Sequence, residues 1–249
     1  MASAAQQVPG RKTTGLTRVE RQDAASELDD FVYIVSHDLR ASARALSEVP
    51  QWLRDDLREQ NIDLSADLLE NFELLERHAK RLDRMLQDLL VYSRTAKQQS
   101  VSTFSVYDLA KRVYLETPSA QHVRLDIEED QPNMTMGYGD AFILFQTMLD
   151  NVGRHCNTDD PVLSIRAKRR RDTVTLTFTD NGPGVNRSDL ARIFKPMITL
   201  KRKDDVVGSG MGLATVQRIV AHCGGDIWAG PGPDGTGLRV RLRLKDMLQ

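Results

Sequence analysis

The apolar residues between Ala24 and Arg94 follow a helical repeat, and this constrains the fold more than any other feature of the 249-residue chain. In the second half of that segment Leu68, Phe72, Leu75, Ala79, Leu82, Leu86 and Leu89 alternate spacings of four and three. Leu28, Val32, Val35, Leu39, Leu46 and Leu53 make a similar stripe upstream. A seam of this period requires partner helices. The polar stretch from Glu59 to Asp63 is the natural joint, so residues 23–96 predict an antiparallel helical hairpin. One hairpin covers only part of two apolar stripes. Pairing with a second copy into a dimeric four-helix bundle covers the rest, and packing of a single hairpin on the remainder of the chain is the alternative.

Residues 1–22 are polar, lack aromatics and show no period, and read as a flexible tail. After Thr95 the texture changes. Strand patterns at 123–127, 134–138, 162–167, 173–179 and 238–244 are interleaved with helical patterns at 141–155 and 211–223. Val174, Leu176 and Phe178 alternate with threonines, and Leu238 to Leu244 alternates with arginines, so each strand has one apolar face. Residues 103–246 therefore predict an α/β sandwich with a mixed sheet and helices on one face, joined to the hairpin by a linker near 96–102.

Composition excludes several classes. With 34 Lys and Arg against 35 Asp and Glu, the chain has no overall pull toward nucleic acid or anionic membrane. Lys168-Arg-Arg-Arg171 lies between two strands without interleaved aromatics and reads as a solvated turn. No apolar run approaches the roughly 20 residues of a membrane span, and the amino terminus lacks the apolar core of a secretory signal. Cys156 and Cys223 fit no metal-ligand spacing and read as small buried residues in a reducing, cytoplasmic setting.

Three motifs carry chemistry. His37 lies in Phe31-Val-Tyr-Ile-Val-Ser-His-Asp-Leu-Arg40, roughly 200° round the helix from Val35 and roughly 160° from Leu39, pointing away from the seam. Asp38 can accept a hydrogen bond from one ring nitrogen and leave the other more nucleophilic. Asp180-Asn-Gly-Pro-Gly-Val185 follows a strand, and its glycines allow a sharp turn and close approach of a ligand. Gly208-Ser-Gly-Met-Gly-Leu-Ala214 opens a helix whose free N–H groups suit phosphate.

Together and in this order these segments resemble the catalytic core of sensor histidine kinases. The His37 segment is similar to the phosphoacceptor box of the phytochrome-like members, and Leu82 to Arg94 to the second helix of the same domain. The two glycine motifs resemble those of the ATP-binding domain shared by histidine kinases, gyrase, MutL and a chaperone family. Leu144 to His155 looks like its asparagine box and Ile193-Phe-Lys-Pro196 its phenylalanine box.

The resemblance implies that His37 is the phosphoacceptor and Asp38 the acid that activates it. It implies ATP and Mg²⁺ as cofactors, with Asn151 as the metal ligand and Asp180 as acceptor from the adenine amino group. Gly182 and Gly184 would shape the pocket floor, and Gly208, Gly210 and Gly212 the phosphate loop, with Met211, Leu213 and Thr236 also at the nucleotide. Arg154 and His155 stand where relatives usually have Lys and Tyr, and Thr147 replaces an earlier asparagine. Residues 199–207, including Lys201, would be a mobile lid.

The expected function is ATP-dependent autophosphorylation of His37 and transfer to an aspartate of a response-regulator receiver. The expected partners are a second copy of the chain, that receiver and, for a free-standing kinase, a separate sensory protein. A phosphotransfer scaffold with a degenerate ATP domain and a clamp-driving ATPase are the rival classes. The first is disfavoured by the intact Asn151, Asp180 and glycine motifs, the second by the His37 box.

The family proline five positions after the histidine is Ser42 here, which removes that source of a helix bend. The Thr or Asn that positions a hydrolytic water in many relatives is Ala41. Weak phosphatase activity is therefore expected, and strong acceleration of dephosphorylation of a cognate receiver by the unphosphorylated protein would refute it.

Overall fold

The computed structural model describes residues 18–97, 99–200 and 208–246, with main chain alone at 18–26 and 28. Two helices, α1 (Arg18–Glu59) and α2 (Ala66–Arg94), form the hairpin. Helix α1 starts inside the stretch that reads from sequence as tail, because its Glu, Arg and Gln are good helix formers. Asn61, in the left-handed region at φ 55°, turns the chain between the helices. Ser65 then caps α2, its hydroxyl accepting from the Leu68 N–H at 3.3 Å.

The inner face of the hairpin is built from small side chains at heptad spacing. Ser36, Ala43 and Pro50 of α1 are buried, as are Ala79, Leu86 and Ser93 of α2. Pro50 has no N–H to give to Leu46, yet α1 continues through it to Glu59. Of the predicted seams, Ala79 and Leu86 lie inside the hairpin, whereas Val35, Leu39, Leu46, Leu53, Leu68, Leu75 and Leu82 remain exposed. Small residues let the two backbones approach, and the large apolar ones are turned outward. The Leu28 side chain is outside the described residues.

The second unit begins with β1 (Val101–Ser105) and α3 (Val106–Glu116), followed by β2 (Arg124–Ile127), β3 (Asn133–Gly137) and α4 (Tyr138–His155). Strands β4 (Val162–Arg170) and β5 (Thr173–Asp180), helix α5 (Gly212–His222), and strands β6 (Asp226–Pro231) and β7 (Leu238–Lys245) complete it. The main sheet has the order β2-β4-β5-β7-β6, with β2 and β4 parallel and the other neighbours antiparallel. Strands β1 and β3 pair separately. The sequence reading omits β1, α3 and β6, and Lys168 to Arg170 belong to β4 rather than to a turn. Only Arg171, at φ 53°, and Asp172 make that turn.

One core fills the space between sheet and helices. Leu144, Phe145, Leu149 and Val152 of α4 pack on Leu163, Ile165, Leu176, Phe178, Val240 and Leu242, with α3 and α5 on either side. The Phe145 and Phe178 rings meet edge to face with centroids 5.3 Å apart.

Between hairpin and domain the chain is anchored. The carboxylate of Asp140, buried in the first turn of α4, accepts from the Ala96 N–H at 3.2 Å and from the Gln99 amide at 2.9 Å. Ala96 itself sits at φ 61°.

Gly153 tests how closely α4 is held. A Cβ there would lie 2.1 Å from the Ser119 carbonyl oxygen. Gly→Ala within a helix ordinarily stabilises by about 1 kcal/mol. Here the backbone contact reverses the sign: Gly153→Ala is expected to lower stability by about 1–3 kcal/mol, read as a drop in the urea midpoint. A rise in that midpoint would contradict the packing described.

Candidate active site

Two sets of functional residues lie on different elements. The first is His37, on the exposed side of α1, its side chain 68% accessible. Its Nδ1 lies 3.2 Å from Asp38 Oδ1. The Tyr33 ring, one turn earlier, stacks on the imidazole with centroids 6.2 Å apart, and the Arg94 guanidinium covers Tyr33 at 4.4 Å. Val35 and Leu39 of the expected seam are exposed on the same helix as well.

The second set surrounds a cavity of about 380 Å³ between α4, the turn after β5 and the amino terminus of α5. That volume is in the range of small-molecule sites. Of the residues singled out in the sequence, Asn151, Arg154, His155, Asp180, Gly184, Gly208, Gly210, Gly212 and Leu213 line it. Asp180 is fixed from below: its Oδ1 accepts from the Gly182 N–H at 2.9 Å and the Leu238 N–H at 3.0 Å. Burial pushes this carboxyl above its ordinary value, and the two N–H groups partly offset that.

Gly182 thus serves the wall through Asp180 rather than lining the cavity. Met211 is buried beneath the phosphate loop, its N–H donating to Ser209 Oγ at 3.1 Å and its carbonyl accepting from Thr215. Thr236 is exposed in the β6–β7 turn, outside the cavity lining, where its carbonyl accepts from the Gly232 N–H. Lys201 lies outside the described residues, as do residues 202–207 of the expected lid.

The glycines are used where side chains cannot be accommodated. Gly210 has φ 75°, and a Cβ there would meet the Ile198 carbonyl oxygen at 2.6 Å. Helix α5 has no side-chain cap at its amino terminus, so its first N–H groups stay available to an anion. Asn151 has no hydrogen-bond partner among the described residues, while its neighbour Asp150 accepts from Ser119 and Arg154. No cluster of three or more His, Cys, Asp or Glu among the described residues could hold a metal ion by itself. The donor set therefore fits a nucleotide that brings its cation with it, leaving one amide oxygen to the protein.

Asp150, Ser209 and Thr199 also line the cavity, each inside a segment the sequence reading assigned to the site, whereas Asp88 escapes that reading. Asp88 comes from the hairpin, and nothing in a heptad pattern marks it as facing a cavity of another unit. Ser209 Oγ donates to Asp88 Oδ2 at 2.5 Å. Further along α5, Arg218 grips both carboxylate oxygens of Asp29 on α1 and lies 4.7 Å over the Tyr92 ring on α2. Across the hairpin, Tyr33 meets Arg94 and Arg40 meets Asp83. Asp88 lies between those two contacts, level with the turn of α1 that carries His37.

Comparison with known proteins agrees with this geometry. Residues 138–247 match the family described as histidine kinase-, DNA gyrase B-, and HSP90-like ATPase. The helical hairpin and this domain follow each other in the same order in sensor kinases. The chain is similar to the catalytic cores of sensor histidine kinases, and residues 138–247 carry the matching ATPase domain. It is 27% identical over 223 residues to the alginate biosynthesis sensor protein KinB of Pseudomonas aeruginosa, covering 86% of this chain and 36% of that protein. Cyanobacterial phytochrome A of a Nostoc species is 27% identical over 218 residues, covering 84% of this chain and 27% of that protein. Sensor histidine kinase CpxA of Escherichia coli is 26% identical over 239 residues, with 89% and 50% covered. The core thus spans between about a quarter and half of these relatives. The crystal structure of full-length ShkA in complex with AMPPNP shares the fold, with a TM-score of 0.63 at 20% identity over 89% of this chain and 47% of that one. No helix among the described residues is long and apolar enough to cross a membrane.

The raised Asp180 makes its ionisation a feature of the ATPase-like domain that can be measured. A protonated carboxyl is a weaker acceptor than a carboxylate and turns one oxygen into a donor, so adenine-nucleotide binding is expected to weaken as pH falls from 7.5. The midpoint should lie above the 3.8 of an ordinary aspartate. Anisotropy of a fluorescent ADP checks this, and Asp180→Asn should bind more weakly at pH 7.5 and lose the dependence. An unchanged pH profile in that variant would remove Asp180 from the nucleotide contact.

Proposed function

We propose that the kinase core binds Mg-ATP in the cavity beside Asp180 and Asn151 and transfers the γ-phosphoryl group to Nε2 of His37. The observation that carries this reading is the pairing, in one chain, of an exposed histidine held on a carboxylate with a glycine-walled cavity docked on the same hairpin. In the tautomer with the proton on Nδ1, Asp38 Oδ1 accepts that proton's hydrogen bond, and the Nε2 lone pair is free to attack. The carboxylate also stabilises the positive charge that grows on the ring as the N–P bond forms and the bond to the β-phosphate oxygen breaks. A magnesium ion, held on the protein side by the Asn151 oxygen, would neutralise phosphate charge. The protein's remaining contribution is positioning, as expected where phosphoryl transfer needs little covalent help.

His37 is absent from the cavity lining. The ATP-binding domain must therefore shift relative to the hairpin for transfer within one chain, or present its nucleotide to the histidine of a second copy. A homodimer is supported by the apolar stripe left uncovered: Leu39 and Leu46 are each 50% accessible, and Val35, Leu53, Leu68, Leu75 and Leu82 lie between 37% and 46%. A second hairpin would cover these side chains and complete a four-helix bundle. The phosphoryl group would pass from the imidazole to an aspartate on a response-regulator receiver, with the input from a sensory part of a longer protein or from a separate sensory protein. This is the established task of the curated relatives' family, and here it is the function the site supports best.

Incubation with γ-labelled ATP and Mg²⁺ tests the proposal. Wild-type protein should acquire label that survives alkali and is lost in acid, and His37→Ala should acquire none. Asp38→Asn should slow labelling on the order of a hundredfold without altering nucleotide affinity. Label retained by His37→Ala would overturn the assignment of the phosphoacceptor.

A further inference from the structure

The loop that opens α5 already carries an anion in this structure. Ser209, 8% accessible, gives its hydroxyl proton to the Asp88 carboxylate at 2.5 Å and accepts the Met211 N–H at 3.1 Å. A relay thus runs from the hairpin through one hydroxyl into the amino terminus of α5. Asp88 shares the cavity wall with Gly208, Gly210, Gly212 and Asn151, and it feels the charges of Arg154 and Asp150 across that space. A carboxylate so placed occupies ground that a nucleotide's phosphates would otherwise use.

We propose that Asp88 is a positioning residue of the nucleotide site, a built-in competitor for the phosphate loop that must release Ser209 before a triphosphate can seat fully. The inference rests on the ATP reading above and adds the regulation of that site. Its physical basis is charge. Phosphates arriving beside Ser209 meet a fixed negative group in a partly buried wall, where Coulomb repulsion is stronger than in water. Displacing Asp88 also removes one of the ties between this part of the domain and the hairpin, alongside the contacts of Arg218 with Asp29 and Tyr92. Nucleotide binding and release of the domain from the hairpin are therefore coupled, and by linkage each favours the other. Burial raises the Asp88 carboxyl above its ordinary value, and the Ser209 hydrogen bond and the Arg154 charge partly offset that.

Asp88→Asn separates charge from contact, because the amide oxygen can still accept from Ser209 while the negative charge is gone. In the intact chain, calorimetric titration with ATP, ADP and adenosine is expected to give tighter ATP binding in this variant, of order tenfold. ADP should gain less, and adenosine, which has no phosphate, should be unchanged. Ser209→Ala cuts the tie itself, and in the nucleotide-free protein amide exchange at Gly210 to Leu213 should speed up. A merely structural Asp88 would alter all three ligands alike, and a metal-binding Asp88 would weaken Mg-ATP in the Asn variant; either result overturns the proposal. If wild-type protein binds no adenine nucleotide, the ATP reading and this inference fall together. If wild type binds and Asp88→Asn binds ATP no more tightly, only this inference fails.

Discussion

The grip of Arg218 on Asp29 decides where the nucleotide cavity stands relative to the histidine. The guanidinium meets both carboxylate oxygens and also lies over the Tyr92 ring, so one side chain of α5 binds both helices of the hairpin at once. A two-pronged contact of this kind fixes direction as well as distance. Because α5 begins at the glycine loop, fixing its far end fixes the height at which that loop meets α2. The Asp88–Ser209 hydrogen bond, the composition of the cavity wall and the level of the loop opposite His37 all follow from that anchoring.

The hairpin shows how a repeat can be legible while its partners are not. The seven-residue period of Leu68 to Leu89 correctly announces paired helices. What it leaves open is which residues face the neighbouring helix in the same chain and which face outward. Close packing inside the hairpin falls to Ser36, Ala43, Pro50, Ala79 and Ser93, whose small or polar side chains carry little weight in a hydrophobic pattern. Apart from Leu86, the large apolar side chains of the two stripes are more exposed than these. Helical periodicity identifies a face, and only the volume of each side chain decides how near two faces can come.

The site follows the same division. Asp180 and the two glycine clusters are readable because local chemistry dictates them: a strand end, a sharp turn and a helix start, each needing particular residues at fixed offsets. Strands β1 and β6 are short, with too few apolar residues to set a clear period, whereas α3 carries a helical pattern at Val106, Leu109, Ala110 and Val113 that the sequence reading passed over. The pairing of Asp88 with Ser209 is invisible for another reason. Its meaning arises from the approach of two units separated by more than a hundred residues, and no local pattern encodes that approach. Thr236 illustrates the converse, a residue given to the nucleotide by resemblance that the fold puts on an outer turn.

Ala96 gives the joint between the two units a mechanical character. Its left-handed backbone carries a Cβ where glycine would be at ease, a conformation that costs of order 1–3 kcal/mol and persists only while its surroundings enforce it. Here the enforcing group is Asp140, which holds the Ala96 N–H from the first turn of α4. Loss of the Asp140 contact would leave that backbone conformation without the hydrogen bond that supports it.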